Sequence, residues 1–304
     1  MRNSLVNWNG QILPASEAKV SVYDRGFLYG DSLYEVARSY SGVFFGLDEH
    51  LERLKASAEL CRMPLSHPLT VYREEILRTM LAFRASPGMA GEEAYCRLIV
   101  TRGAGKIGFG RAAVETPTQF AILMQPLSPF TVSLTPVLFE AGLSLKISER
   151  IRYDRRALDP AMKSGNYLNS VLAFLEAQDL GEKFDDALLC NADGHLTEGT
   201  TFNLFYVKRG IVATPPLDVG ILDGITRRHA IRLARGSGIE VREVRFPRER
   251  LYEADEVFVS SSIKEIWPVT KLDGRSIADG KPGALTRKLA ALMRKFVLAS
   301  TESA

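Results

Sequence analysis

Three prolines fall within MQPLSPFTVSLTP, Met124 to Pro136, a stretch that carries no charged residue. Proline fixes φ and removes a backbone donor, so neither a continuous helix nor a central strand runs through it. The chain is therefore expected to break here into two parts. The predicted boundaries are a small N-terminal α/β domain over 1–125, a linker over 126–136 and a larger C-terminal domain over 137–304. A chain of 304 residues is long enough for two domains with sizeable cores.

Before the break, Asp48 is the predicted N-cap of DEHLERLKASAELCRM, where Leu51, Leu54, Ala58 and Cys61 recur at helical spacing until Pro64. VYREEILRTMLAF predicts a second helix. AYCRLIVTRG and TQFAILMQPL read as strands, and alternation puts Tyr95, Arg97 and Ile99 on one face with Cys96, Leu98 and Val100 on the other. After the break come a strand in LSLKISERIRY and a helix in AMKSGNYLNSVLAFLEAQDLG. Leu168, Val171, Leu172 and Leu175 are its predicted packing face and Gly181 its C-terminal residue. Asp193-Gly194 and Arg209-Gly210 mark hairpin turns in a strand-rich region, and ITRRHAIRLAR predicts a further helix, with Ile225, Ala230, Leu233 and Ala234 turned inward.

The 39 basic and 36 acidic residues are interspersed, so the net charge of +3 forms neither a basic field for nucleic acid nor a polybasic membrane anchor. Cys61, Cys96 and Cys190 and the four histidines lack zinc or disulfide spacing, and no metal site is expected. No apolar run approaches the ~18 residues of a membrane span, and MRNSLVNWNG does not read as a signal peptide. A reducing, cytoplasmic location is expected.

Three short stretches have chemical potential. In LDGITRRHA, Gly224, Ile225 and Thr226 open a predicted helix, whose first N–H groups have no intrahelical partner and suit an anion such as phosphate. The plain alternative is that Asp223 merely caps a packed helix. Lys163 has an apolar neighbour, small residues after it and no acidic residue within three positions, which suits a free amine; the alternative is a solvated loop lysine. Glu198 in TEGTTFNLF leaves room for a flat ring, or is an edge-strand carboxylate whose glycine relieves a bulge.

Together with DRGFLYGDSLYEVAR, HLERLKASAE, KSGNYLNS, EGTTFNLF, LYEADEVFVSSS and EIWPV, in this order, these stretches resemble the fold-type IV pyridoxal-phosphate enzymes. That family includes branched-chain aminotransferases, D-amino-acid aminotransferases, aminodeoxychorismate lyases and R-selective amine transaminases. The resemblance runs from about Val6 to Phe296. It implies a small α/β domain and a larger domain built around a β-barrel, with pyridoxal 5′-phosphate between them. It implies that Lys163 forms the Schiff base and shuttles the proton between substrate Cα and cofactor C4′. Glu198 is implied to pair with the pyridine nitrogen, which keeps the ring cationic as electrons arrive from Cα. Leu222 is implied to lie against the ring, and Ile225 and Thr226, beside Gly224, to give N–H groups to the phosphate. Arg53 matches the phosphate-binding arginine, although the helical wheel alone puts it off the apolar stripe as a solvated charge. Tyr167 matches the tyrosine that bonds the phenolic oxygen and shares a face with Lys163 if the helix has begun there. Ser262 stands at a phosphate-contacting position, with Ser261 as the alternative.

Among the subfamilies, Tyr95-Cys96-Arg97, Arg38, Tyr29 and Tyr34 are similar to the substrate site of branched-chain enzymes. The Arg-x-His trap typical of the D-amino-acid branch is missing after Thr101-Arg102-Gly103. Two departures stand against this: Val36 resembles the D-amino-acid branch, and Ile263 and Lys264 replace small residues. The implied reaction is transfer of the amino group of a branched-chain L-amino acid to 2-oxoglutarate. The alternatives are a D-amino-acid or R-amine transaminase, a lyase of the same fold, or a non-catalytic binding protein. The implied partners are a small amino donor, a 2-oxo acid and at least one further copy of the chain, with a loop near Leu65 to Leu69 reaching the partner's site.

Overall fold

Alternation sets the first half of the molecule. The computed structural model describes residues 3–128, 135–179 and 184–302. Contacts divide the chain into two units: Met1–Phe130 with Met162–Asn166 and Ala299–Ala304, and Thr131–Ala161 with Tyr167–Leu298. The short segment Met162–Asn166 therefore goes with the first unit, although it follows the proline-rich break; residues 129–134 of that break lie outside the described residues.

In the first unit, β1 (Leu5–Trp8), β2 (Gln11–Pro14), β3 (Ser32–Tyr40), β4 (Val43–Phe44), β5 (Ala94–Thr101) and β6 (Gln119–Pro126) form an antiparallel sheet in the order β2-β1-β6-β5-β3-β4. Period-2 geometry sends Leu33, Ala37, Cys96, Leu98, Val100, Ile122 and Met124 into one core. The helices Leu47–Leu60 and Leu69–Ala85 supply Leu51, Leu54, Ala58, Tyr72, Ile76 and Phe83 to the same cluster. Leu54 and Phe83 are fully buried, and truncating either to alanine is expected to cost about 3–5 kcal/mol. On the other sheet face, the register sets Tyr34 opposite Ile99, Val36 opposite Arg97 and Arg38 opposite Tyr95. The first helix starts two residues before the sequence expectation. Gly46, at φ 64°, is its N-cap, and Asp48 lies in the first turn, where a carboxylate complements the helix dipole.

The second unit holds β7 (Leu143–Ile151), β8 (Asp186–Cys190), β9 (Leu196–Gly199), β10 (Asn203–Lys208), β11 (Ile211–Thr214), β12 (Val241–Glu243), β13 (Glu256–Ser261), β14 (Glu265–Leu272) and β15 (Arg275–Ser276). Six of them close on themselves. The path β7-β8-β9-β10-β13-β14 returns to β7 because β9 pairs with both β8 and β10, and β14 runs parallel to β7. Closure removes the sheet edges that an open arrangement would leave. Asp193-Gly194 and Arg209-Gly210 both stand in the predicted turns, with Gly194 at φ 81° and Gly210 at φ 77°.

The helix Leu168–Asp179 corrects the sequence reading. It is Ser170, Ala173 and Ala177 that are buried, and Ala173 and Ala177 pack with Phe184, Ala187 and Leu189. Leu168, Val171 and Leu175 are 63%, 46% and 44% exposed. Small residues let the helix approach the barrel closely, so the larger apolar side chains turn outward. The predicted terminal Gly181 lies outside the described residues.

Candidate active site

In the first unit, the segment Met162–Asn166 meets β3 through an isolated β-bridge. Tyr34 N–H donates to the Lys163 carbonyl (3.0 Å) and Gly165 N–H to the Ser32 carbonyl (2.7 Å), around an antiparallel bridge from Leu33 to Ser164. Lys163 N–H donates to Ser57 Oγ at 3.1 Å. Backbone bonds thus fix Lys163 on both sides, and its Nζ donates to Tyr34 Oη at 3.3 Å, 4.4 Å from the ring centroid. The Arg97 guanidinium carbon stands 4.1 Å from the same centroid. Two cations on one phenol ring are each stabilised by its quadrupole. Arg97 Nε is buried with no hydrogen-bond partner among the described residues. Burial raises the pKa of Tyr95, and Arg97 opposes that rise.

Arg38 lies over Tyr40, 4.4 Å from its centroid. Tyr34, Arg38, Tyr95 and Arg97 therefore share one sheet face, and Tyr29 lies in the helix Arg25–Tyr29 of the same unit. Its hydroxyl accepts from Gly108 N–H (3.1 Å) and its ring leans on Phe109 at 5.2 Å. Leu65 and Leu69, which bound the stretch expected to reach a partner's site, are half-buried against the core of their own unit. Ile107 and Phe109 in the same unit are 76% and 86% exposed.

Behind β3, Arg53 is not the solvated charge that its helical position suggests. Its Nε and one terminal nitrogen donate to the two carboxylate oxygens of Glu35, at 2.8 and 2.7 Å, and His50 Nδ1 meets the same carboxylate at 2.7 Å. All three side chains are at most 10% exposed. Burial alone pushes Glu35 up, but the Arg53 charge and hydrogen bonds, with those of His50, bring its pKa down to about 2. His50 is pushed below its ordinary value by burial, against the pull of Glu35. The signal was present in the sequence: alternation puts Glu35 on the face of Leu33 and Ala37, and a carboxylate facing a core needs a cation.

In the second unit, Glu198 is 5% exposed on β9. Arg152 pairs with one oxygen at 2.8 Å, while Leu222 N–H (3.1 Å) and Asn203 Nδ2 (3.3 Å) donate to the other. Arg152, which the sequence reading missed, lies over Tyr153 with its guanidinium carbon 4.2 Å from the ring centroid, and its Nε is buried without a partner among the described residues. Its position just past β7 offered no periodic signal. Asn203 also donates to the Leu222 carbonyl at 2.9 Å, and its Oδ1 lies 2.0 Å from where a Cβ on residue 224 would stand. Only glycine fits there.

Gly224, rather than Asp223, is the N-cap of the helix Ile225–Gly236, which has no side-chain cap and no acidic residue in its first turn. The Asp223 carboxylate instead accepts from Arg228 at 3.2 Å. The helix start therefore keeps its positive dipole end, with Ile225 and Thr226 buried beside it. Tyr167 precedes the helix Leu168–Asp179, so Lys163 and Tyr167 do not share a helical face. Ser261 Oγ accepts from Lys264 N–H at 3.1 Å, which closes the turn over Ser262 and Ile263. Among the described residues, no group of three or more His, Cys, Asp and Glu side chains is placed to hold a metal ion, and no helix is long and apolar enough to cross a membrane.

The sequence model of amino-transferase class IV matches residues 32–272. A putative branched-chain-amino-acid aminotransferase of Methanocaldococcus jannaschii is 41% identical over 283 residues, 92% of each chain. D-alanine aminotransferase of Bacillus licheniformis is 32% identical over 297 residues, 97% of this chain and 98% of the other. The crystal structure of Escherichia coli branched-chain amino acid aminotransferase superposes with a TM-score of 0.88 at 31% identity, covering 98% of this chain and 95% of that one.

Proposed function

The chain belongs to the class IV aminotransferases, whose cofactor is pyridoxal phosphate, and from that premise we propose that it transfers the amino group of a branched-chain L-amino acid to 2-oxoglutarate through Lys163. The observation that carries the substrate reading is the face beside the Lys163 amine. There Tyr34 and Tyr95 provide aromatic walls for an apolar side chain, and Arg97 provides a buried, unspent Nε for a carboxylate. The Methanocaldococcus relative supports the same reading.

The residues present fit the cofactor. The start of the helix Ile225–Gly236 is uncapped by any side chain and excludes a Cβ at Gly224, as a backbone phosphate cradle requires, and Glu198 is a buried carboxylate paired with a cation. When bound, pyridoxal phosphate supplies a ring that accepts the electrons released at substrate Cα. Arg152 pairs with Glu198, and Glu198 would hold a proton on the ring nitrogen. Ile225 and Thr226 N–H groups, Arg53 and the Ser262 hydroxyl, or that of Ser261, bind the phosphate. Leu222 walls the ring, and Tyr167 donates to the phenolic oxygen. Lys163 Nζ takes the proton from Cα and returns it, with Tyr34 Oη orienting the amine. Arg97 or Lys264 meets the distal carboxylate of 2-oxoglutarate, which an apolar wall cannot satisfy.

The chain acts as a homodimer in this reading, supported by the exposed apolar residues Leu168, Val171 and Leu175 on one helix and Ile107 and Phe109 on one loop. A second reading, a D-amino-acid transaminase, draws support from Val36 beside Tyr34 and from the Bacillus relative. A panel of L- and D-amino acids and R-amines with 2-oxoglutarate, followed by the keto product, separates the two. L-leucine, L-isoleucine or L-valine should be the best donors. D-alanine as the best donor, or release of pyruvate from aminodeoxychorismate alone, would replace the branched-chain assignment.

A further inference from the structure

The helix Leu47–Leu60 presents His50, Arg53 and Ser57 at spacings of three and four, one stripe along a single face. All three engage β3 or the segment beside it. Arg53 and His50 bind Glu35, and Ser57 Oγ accepts the backbone N–H of Lys163. Glu35 is placed on the core side of β3 by alternation with Leu33 and Ala37, 3% exposed. A carboxylate there is cut off from water, and the fork it receives from Arg53 and the hydrogen bond from His50 take the place of solvation. Conversely, a long arginine side chain loses most of its rotamer freedom when Nε and one terminal nitrogen are fixed in that fork.

We infer that Glu35, braced by His50, is a positioning residue that sets the direction in which Arg53 presents its guanidinium to the cofactor phosphate. This rests on the phosphate-binding role of Arg53 proposed above. The ion pair also balances the arginine charge, so Arg53 acts through aimed N–H groups rather than as an unbalanced cation. A lysine at the same place keeps the charge but has no planar fork to divide between two anions.

The test is the Kd of pyridoxal phosphate for the full-length apoprotein, measured by fluorescence titration, with a thermal melt of each variant to verify folding. Arg53→Gln should weaken binding by about tenfold to a hundredfold. Glu35→Gln, which turns the fork into a donor facing a donor, should weaken it about tenfold, and Glu35→Gln with Arg53→Gln should be no weaker than Arg53→Gln alone. Arg53→Lys, which leaves Glu35 paired and so keeps the fold if Glu35→Gln does not, should also lose at least about tenfold. The inference is overturned if Glu35→Gln has no effect, if its effect is the same in both backgrounds, or if Arg53→Lys binds as tightly as the native chain. If Arg53→Gln itself binds normally, the phosphate role of Arg53 fails first and takes the inference with it, while the roles of Lys163 and Glu198 stand.

Discussion

Lys163 is held by backbone bonds on both sides and ends beside a phenol, so its replacement should remove chemistry and leave folding intact. Lys163→Ala is expected to lose at least about 10²- to 10⁴-fold in turnover, and borohydride reduction of the native holoenzyme should label the peptide that carries Lys163. A label on another lysine sinks the assignment. Glu198→Gln should retain the cofactor while the proton-transfer step slows by roughly a hundredfold, since a neutral amide no longer favours a protonated ring nitrogen. A substrate-proton isotope effect in single-turnover kinetics checks this, and native rates would return Glu198 to a structural role. At this scale the sequence was partly legible. Lys163, Glu198 and Gly224 stand out for their small neighbours and Glu35 for its place on an apolar strand face, but Arg152 does not, because the partner of a buried carboxylate lies far from it in the chain.

Elements were legible where periodicity alone decides them. The alternation of β5 was readable in advance because Cys96, Leu98 and Val100 form an apolar core face while Tyr95 and Arg97 lie on the other. The helix Leu168–Asp179 was placed correctly but turned the wrong way, because an apolar stripe does not say whether its own unit or another surface covers it. That ambiguity is itself testable. If the stripe is covered by a second copy of the chain, Val171→Asp with Leu175→Asp should convert a dimer to a monomer in sedimentation velocity without lowering the thermal midpoint of the monomer. A monomeric native protein would refute this.

For the molecule as a whole, acid stability should reflect the pair behind β3. Glu35 has a pKa of about 2 when folded against 4.5 ordinarily, so its contribution is present above 4.5 and is lost as pH falls towards 2. At about 1.4 kcal/mol per tenfold change in proton affinity, this amounts to about 3 kcal/mol. His50 is also lowered on folding, so it too favours the folded state less as pH falls through its ordinary value of 6.5. Denaturant midpoints should therefore decline from about pH 6.5 downward and more steeply below about pH 4.5. His50→Gln should flatten the decline near pH 6.5, and a native-like decline there in that variant would show that another group is responsible.

The segment Met162–Asn166 belongs with the sheet of the first unit, yet the residues on either side of it, Thr131–Ala161 and Tyr167–Leu298, belong with the second. Genetic recombination at the proline-rich break would therefore not exchange whole units between related genes. A chimera joined there would inherit its lysine, and the segment bridged to β3, from one parent and the sheet that receives them from the other. Such a chimera keeps the contacts of Lys163 only if Tyr34 and Ser57 match the segment Met162–Asn166 that they receive.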